Sequence, residues 1–377
     1  MKKVLIIAEK YSSNLGDSLI YSVVNSIISK DYKTDSIDLS GRTNFTYNES
    51  SKYNGKLNFT RKIYKFLKHN FKKIGIYIIG NSMKKVNKQF ESNFIKKVNE
   101  FQPDCILFAG GQMFMDSFFS QILFVIKYCK KRKTPVLFNA CGCSNKMFFY
   151  EKKCIKKILN NDSVKYVSLR DKYDIVKKLD KRGIVFETYD TALLSSDYFK
   201  KTKAIDNKIG IGIMFSNFYE YKEQFNFWTS ILNDLENRNV KYEIFCNGSI
   251  DDYNFIKDIC SKNGINFSKV LKRPKTYMEL IDVICRFNII LSMRLHSLII
   301  AYSYGIPAIA ISWDSKVREF YKKTNNSNLC FDLNSDTRKI LSTLFNTKKA
   351  SDFKLNSEVK EKIYKNIDYI CEIINGI

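Results

Sequence analysis

Arg294 and His296 stand two positions apart in Ser292-Met293-Arg294-Leu295-His296-Ser297, where an apolar run over 287–291 gives way to an apolar helix. Loops outside the carboxyl ends of parallel strands are where α/β sheets present ligand groups. An anion placed there meets unbonded backbone N–H groups, the positive end of a helix dipole, a guanidinium and an imidazole. His296 is one of two histidines in 377 residues; the other, His69, lies in a lysine-rich stretch and reads as a surface residue. The competing interpretation is a histidine that caps the helix beside a surface arginine, and one R-x-H pair leaves both open.

Further polar groups fall at other strand ends. In Asn14-Leu15-Gly16-Asp17, Gly16 allows a turn of positive φ, while Asn14 and Asp17 either cap the following helix or face a ligand. Gly110 and Gly111 permit close backbone approach to a ligand, or a tight strand-to-helix turn and nothing more. Arg170 ends a strand, as an anion ligand or as the ion-pair partner of Asp171 or Asp174. Lys316 opens a helix after Trp313-Asp314-Ser315, where the dipole disfavours a cation and an anionic ligand would account for it. Tyr302 and Tyr304 read as core.

The ordered set of Asn14-Leu15-Gly16-Asp17, Phe108-Ala109-Gly110-Gly111, Ser168-Leu169-Arg170-Asp171, Tyr189-Asp190-Thr191-Ala192, Arg294-Leu295-His296-Ser297, Gly305-Ile306-Pro307 and Asp314-Ser315-Lys316-Val317 resembles the polysaccharide pyruvyl transferase family. The resemblance spans about residues 4 to 325. Where the family more often carries a third glycine, this chain has Gln112. The resemblance implies an α/β protein of two Rossmann-like, doubly wound domains facing a cleft, in a glycosyltransferase-B-like arrangement. It also implies transfer of pyruvate from phosphoenolpyruvate onto two hydroxyls of a surface-polysaccharide sugar as a ketal, with release of phosphate.

Such a donor carries a carboxylate and a phosphate, so fixed cations and preferably guanidiniums are required. Arg294, His296, Arg170 and Lys316 are the expected ligands of phosphoenolpyruvate. Beside a phosphate, His296 should have its cationic form favoured, bind the anion and donate a proton to the leaving group. Asp17 is the expected carboxylate near the sugar hydroxyls. Asn14, Gly16, Gly110, Gly111 and Asp190 are expected to shape the acceptor side, with Asp190 orienting a cation across the cleft. The donor is a substrate and no cofactor or metal is expected; the acceptor is a sugar, free or lipid-linked. The alternative on the same scaffold is a nucleotide-sugar glycosyltransferase, with Arg294 and Lys316 on a diphosphate. A third class, a non-catalytic membrane-surface binder, does not explain why the polar motifs sit at strand ends.

The elements that must position these groups alternate strand and helix. In the first half, strands are expected over 3–8, 105–108, 136–140 and 165–169 and near Val185, with helices over 18–29, 118–131, 152–159 and 172–179. A polar stretch over 30–60, rich in Ser, Asn, Thr and Tyr, reads as partly mobile with no element assigned, and helices over 61–101 read as interrupted near Gly80-Asn81-Ser82. After a charged linker over 200–208, the pattern restarts. Strands are expected over 209–215, 242–246, 287–291 and 308–311, and helices over 220–237, 252–263, 277–285, 315–323 and 337–345. That order means parallel sheets. The expected domains are 1–200, on the acceptor side and with a basic helical insertion over about 60–100, and 201–350, on the phosphoenolpyruvate side. A final helix within 351–377, with Val359, Ile363, Ile367, Ile370 and Ile374 on one face, packs back across them.

Composition excludes several classes. A hydrophobic content of 45% is too high for a disordered chain. Ten cysteines without metal-ligand spacing read as thiols in a reducing compartment, Cys141-Gly142-Cys143 being too tight for a zinc pair. Met1-Lys2-Lys3 mimics a signal peptide, but the apolar run stops at Glu9-Lys10, and no run is long enough to span a membrane. The expected location is the cytoplasm. The net charge of +25 is spread along the chain without a nucleic-acid motif, so no nucleic-acid partner is expected. Residues 61–79 place Ile63, Phe66, Leu67, Phe71, Ile74 and Ile78 on one helical side and lysines largely on the other. That helix either lies on an anionic membrane, at the inner face of the plasma membrane, or packs on its domain with a solvated lysine face.

Overall fold

The computed structural model describes residues 1–45, 72–144, 147–200, 208–347 and 357–377, with the backbone alone for 72–86. Among the described residues twelve strands form two parallel sheets, one in each half of the chain. The first half supplies β1 (Lys3–Ala8), β2 (Lys33–Asp38), β3 (Cys105–Phe108), β4 (Gly111–Phe114), β5 (Val136–Cys143), β6 (Val164–Leu169) and β7 (Val185–Glu187). The second supplies β8 (Ile209–Gly212), β9 (Tyr242–Phe245), β10 (Ile289–Ser292), β11 (Ala308–Ser312) and β12 (Cys330–Asp332). The sheet orders are β2-β1-β3-β5-β6-β7, with β4 alongside β5, and β12-β11-β10-β8-β9.

Helices on both faces account for the unbroken apolar strands. A parallel strand buried on both sides has no polar face to alternate with, and every residue of β3, β5, β10 and β11 is buried. Helix Leu15–Ile28 follows β1, and helix Leu295–Ser303 follows β10, so each begins beyond the carboxyl end of a central strand. The halves meet through those helices and through the segments beyond β6 and β11. The Ser303 hydroxyl donates to the Leu193 carbonyl at 2.8 Å, and Lys172 pairs with Glu319 at 2.6 Å. The final helix, Ser357–Asn375, buries Val359, Ile363, Ile367, Ile370 and Ile374. Its Asn366 accepts from the Tyr166 hydroxyl at 2.9 Å and donates to the Asn139 side chain at 2.7 Å, joining it to the first sheet.

The structure corrects two expectations and adds three strands. Helix Lys72–Phe101 runs through Gly80 without a break. A lone glycine inside a helix costs only about 1 kcal/mol relative to alanine, too little to interrupt a long helix. The polar stretch after residue 30 contains an edge strand, β2, whose Lys-Thr-Asp-Ser-Ile-Asp sequence has no strand signature and is paired in register along all of β1. β4 and β12 are short additions of the same kind. The amphipathic segment at 61–79 falls largely outside the described residues, as do His69 and most of the 200–208 linker. All ten cysteines are free thiols. Among the described residues no helix is long and apolar enough to cross a membrane.

Candidate active site

Between the two halves lies a cavity of about 290 Å³ lined by Asn14, Asp17, Arg170, Arg294, His296 and Lys316. These residues come from four separate strand ends: β1, β6, β10 and β11. Glu9, Gln112, Met115, Phe118, Leu295 and Trp313 complete the wall.

Each cation is held differently. Arg294 precedes helix Leu295–Ser303, and its Nε and Nη2 donate to the two carboxylate oxygens of Asp252, both at 2.8 Å. The Asp252 side chain is fully buried, so the fork is locked by a planar bidentate pair while the guanidinium still reaches the cavity. Arg170 is 8% exposed, donates through Nη1 to Asp190 and lies 3.8 Å from Asp171. Arg170 is thus ion-paired, with Asp190 and more distantly Asp171 rather than Asp174, and also part of the cavity wall. Its Nε is buried without a hydrogen-bond partner. Lys316 occupies the first turn of helix Ser315–Lys323, whose N-cap Asp314 accepts from the Lys316 backbone N–H at 3.1 Å. The Lys316 side chain makes no ion pair among the described residues, and burial pushes its ammonium below the ordinary lysine value. A buried, unpaired lysine at the positive end of a helix dipole is poised for an anion.

His296 is 6% exposed, with Nε2 buried, unbonded and 3.8 Å from Asp190. Burial lowers its pKa below the usual histidine value; Asp190 and Asp17 pull upward, and Arg170 and Arg294 push down. The resting imidazole is thus neutral at pH 7, and a cation would form there only with an added negative charge. It does not cap its helix: the N-cap is Arg294, without a side-chain cap bond.

Asn14 occupies the N-cap of helix Leu15–Ile28, yet its side chain makes no cap bond. Its Nδ2 instead donates to Asp17 at 3.1 Å, and its Oδ1 accepts from Asn247 at 2.9 Å. Asn247 in turn accepts from the Ser297 hydroxyl at 3.1 Å, so one relay ties Asp17 to the Arg–His helix of the other half. Gly110 and Gly111 adopt φ of +110° and +87°, and a Cβ on Gly111 would lie 3.6 Å from Asp17 Oδ1. Both glycines lie in a tight turn packed behind Asp17, and neither is among the residues that line the cavity. Asp190 stands behind the wall and orients Arg170.

Gly16 lies inside helix Leu15–Ile28 and has no positive φ, so it serves not the expected turn but the close approach of the halves. A Cβ there would lie 2.0 Å from Cγ of the His296 ring, well inside contact distance. Gly16→Ala is expected to force the two halves apart, lowering the melting temperature by several degrees through an overpacking cost of about 1–3 kcal/mol. It should also abolish ligand-induced stabilisation. A variant that melts with the parent would show that the ring yields without cost.

Sequence reasoning missed Asp252, Glu9 and Trp313 as parts of the site. Trp313 stacks on Phe218 with ring centroids 5.8 Å apart, and its indole Nε1 is buried without a partner. Phe218 is 66% exposed, so an aromatic surface flanks the cavity. Such faces suit the C–H side of a sugar ring, but nothing in the sequence sets these aromatics apart from the rest of the chain.

Residues 14–315 match the family described as polysaccharide pyruvyl transferase. No curated protein matches the chain in sequence. Among solved structures, the chain is similar to a putative UDP-N-acetylglucosamine 2-epimerase from Listeria monocytogenes (TM-score 0.60, 9% identity, covering 93% of this chain and 90% of that one). It is also similar to UDP-GlcNAc 2-epimerase from Neisseria meningitidis (TM-score 0.59, 12% identity, all of both chains). The UDP-N-acetylglucosamine 2-epimerase from Rickettsia bellii gives TM-score 0.59 at 13% identity, covering 100% of this chain and 98% of that one. At such identities the likeness establishes the two-domain, glycosyltransferase-B-like fold alone.

Proposed function

We propose that this chain, which belongs to the polysaccharide pyruvyl transferase family, transfers pyruvate from phosphoenolpyruvate to two hydroxyls of a surface-polysaccharide sugar. The observation that carries the reading is the unpaired, buried Lys316 facing the same cavity as Arg170, Arg294 and His296. A buried ammonium without an ion-pair partner, set beside two guanidiniums that carboxylates hold in place, is unfavourable unless an anion completes it. A small donor with a carboxylate at one end and a phosphate at the other fits the need.

The residues then divide the work. Arg294 and Arg170, fixed by Asp252 and Asp190, hold the anionic ends, and Lys316 neutralises the phosphate. The methylene carbon of the donor takes a proton, and one sugar hydroxyl adds to the central carbon. The bond from that carbon to the phosphate oxygen then breaks as the second hydroxyl adds. Of the two hydroxyl protons, one ends on the new methyl group and the other on phosphate. His296, made cationic by the bound anion, donates at the leaving phosphate, and Asp17 with Asn14 orients the acceptor hydroxyls. Trp313 and Phe218 support the sugar ring.

A thermal-shift comparison tests the reading. Phosphoenolpyruvate at about 100 times its Kd should stabilise the protein by about 2.7 kcal/mol by mass action, with little effect from a nucleotide sugar. Stabilisation by a nucleotide sugar alone would make the protein a glycosyltransferase on this scaffold instead. Trp313→Ala should raise the KM for the acceptor at least tenfold and leave the phosphoenolpyruvate-induced shift in place. An unchanged acceptor KM would remove the aromatic platform.

A further inference from the structure

Glu9 follows the last residue of β1, Ala8, and forms part of the cavity wall. No step described so far uses it. Its Oε1 accepts from the Ser40 hydroxyl at 2.6 Å, and its Oε2 accepts from Arg42 Nη2 at 2.8 Å. Arg42 is shared, because its Nε donates to the fully buried Asp38 at 2.9 Å. The Glu9 carboxyl therefore has a fixed orientation and a cation whose charge is partly spoken for by another carboxylate.

Glu9 lines the same cavity as Asp17, His296 and the donor-binding cations Arg170, Arg294 and Lys316. Those cations hold the anionic groups of a donor and have no claim on its uncharged methylene carbon, and Glu9 is the carboxyl of the wall that nothing else in the reaction uses. The methylene carbon must receive a proton, and an attacking hydroxyl must lose one.

We propose that Glu9 is the proton carrier of the reaction, delivering its proton to the methylene carbon of phosphoenolpyruvate and then, as a carboxylate, taking the proton of the first attacking sugar hydroxyl. A carbon–hydrogen bond forms as the carbon–carbon double bond opens, and a carbon–oxygen bond forms as the hydroxyl loses its proton. Glu9 gives one proton, regains one and needs no further reactant. This role rests on the pyruvyl-transfer reading. It is chemically reasonable because burial, with the neighbouring Asp38 and Asp17 carboxylates, raises Glu9 to about 7 against the opposing pull of Arg42 and Ser40. A carboxyl poised there is populated in both forms at neutral pH.

The test is Glu9→Gln, which keeps the shape and the hydrogen bond from Ser40 but carries no transferable proton. Phosphoenolpyruvate should stabilise the variant as it does the parent, while phosphate release falls at least a hundredfold. In the parent, kcat/KM for phosphoenolpyruvate should decline as pH rises through about 7, because that ratio reports the free protein. The glutamine variant should decline less steeply, keeping only the part that proton uptake at His296 contributes. Should that variant fail to fold, Ser40→Ala gives an independent reading. Loss of the hydroxyl removes a donor that favours the carboxylate, so the decline should move to higher pH, and an unmoved decline overturns the role. Normal turnover of Glu9→Gln in a protein that phosphoenolpyruvate stabilises rejects Glu9 alone. A parent that phosphoenolpyruvate does not stabilise, and from which no phosphate is released, rejects the pyruvyl-transfer reading and Glu9 with it.

Discussion

His296→Asn is expected to slow phosphate release from phosphoenolpyruvate by about a hundredfold to ten-thousandfold, the range for loss of a positioned general acid. The parent ring is neutral at rest because burial and two guanidiniums outweigh Asp190 and Asp17. Adding the donor's negative charge reverses that balance, so binding should take up a proton near pH 7. Calorimetry in buffers of different ionisation enthalpy reads that uptake directly, and the asparagine variant should show none. The same shift sets a stability signature. A histidine whose folded pKa lies below its unfolded value contributes stability that is complete above the unfolded pKa and is lost as pH falls through the folded one. The parent should therefore lose stability below about pH 6.5 by an increment that the variant lacks. If His296 served only to fill space against Gly16, the variant would melt earlier but turn over at near-normal rate per folded molecule. That outcome would remove the ring from the chemistry.

Arg294→Lys should cost on the order of a hundredfold to a thousandfold in turnover although the charge is retained, comparable to losing one preorganised donor to a developing anion. Nε and Nη2 are committed to Asp252, which leaves Nη1 for a ligand in the cavity that Arg294 lines. A lysine has one ammonium and can serve Asp252 or the ligand, not both. Since the Asp252 side chain is fully buried, the ammonium is expected to stay with it, because a buried carboxylate left without its partner costs about 3–5 kcal/mol. The variant should therefore fold, and phosphoenolpyruvate should no longer raise its melting temperature. Retention of the full ligand-induced shift would show that Arg294 is a structural partner of Asp252 and nothing else.

Much of this was legible in the amino-acid sequence. The apolar runs at 105–108, 136–140 and 308–311 announce strands buried on both faces, since no other element hides so short a run completely, and alternation with helices then requires parallel sheets. The chain also places Asn14, Asp17, Arg170, Arg294, His296 and Lys316 just beyond strand ends, and a doubly wound fold turns those ends toward one side. Tertiary structure alone decided that they share a cavity across two domains, because no local pattern encodes contacts between residues more than 200 positions apart. Asp252 lies 42 positions from the arginine it fixes, and nothing in helix Ile250–Lys262 distinguishes it from Asp251 except burial. Asp190 likewise became the partner of Arg170 only when the first half folded, and Gly16 the seat of the His296 ring only when the halves packed. Polar β2 is a strand because β1 offers it an edge. The resting charge of His296 and the proton affinity of Glu9 belong to the same class: the sequence supplies an imidazole and a carboxyl, but desolvation and neighbouring charge set what they do, and both exist only in the folded interior.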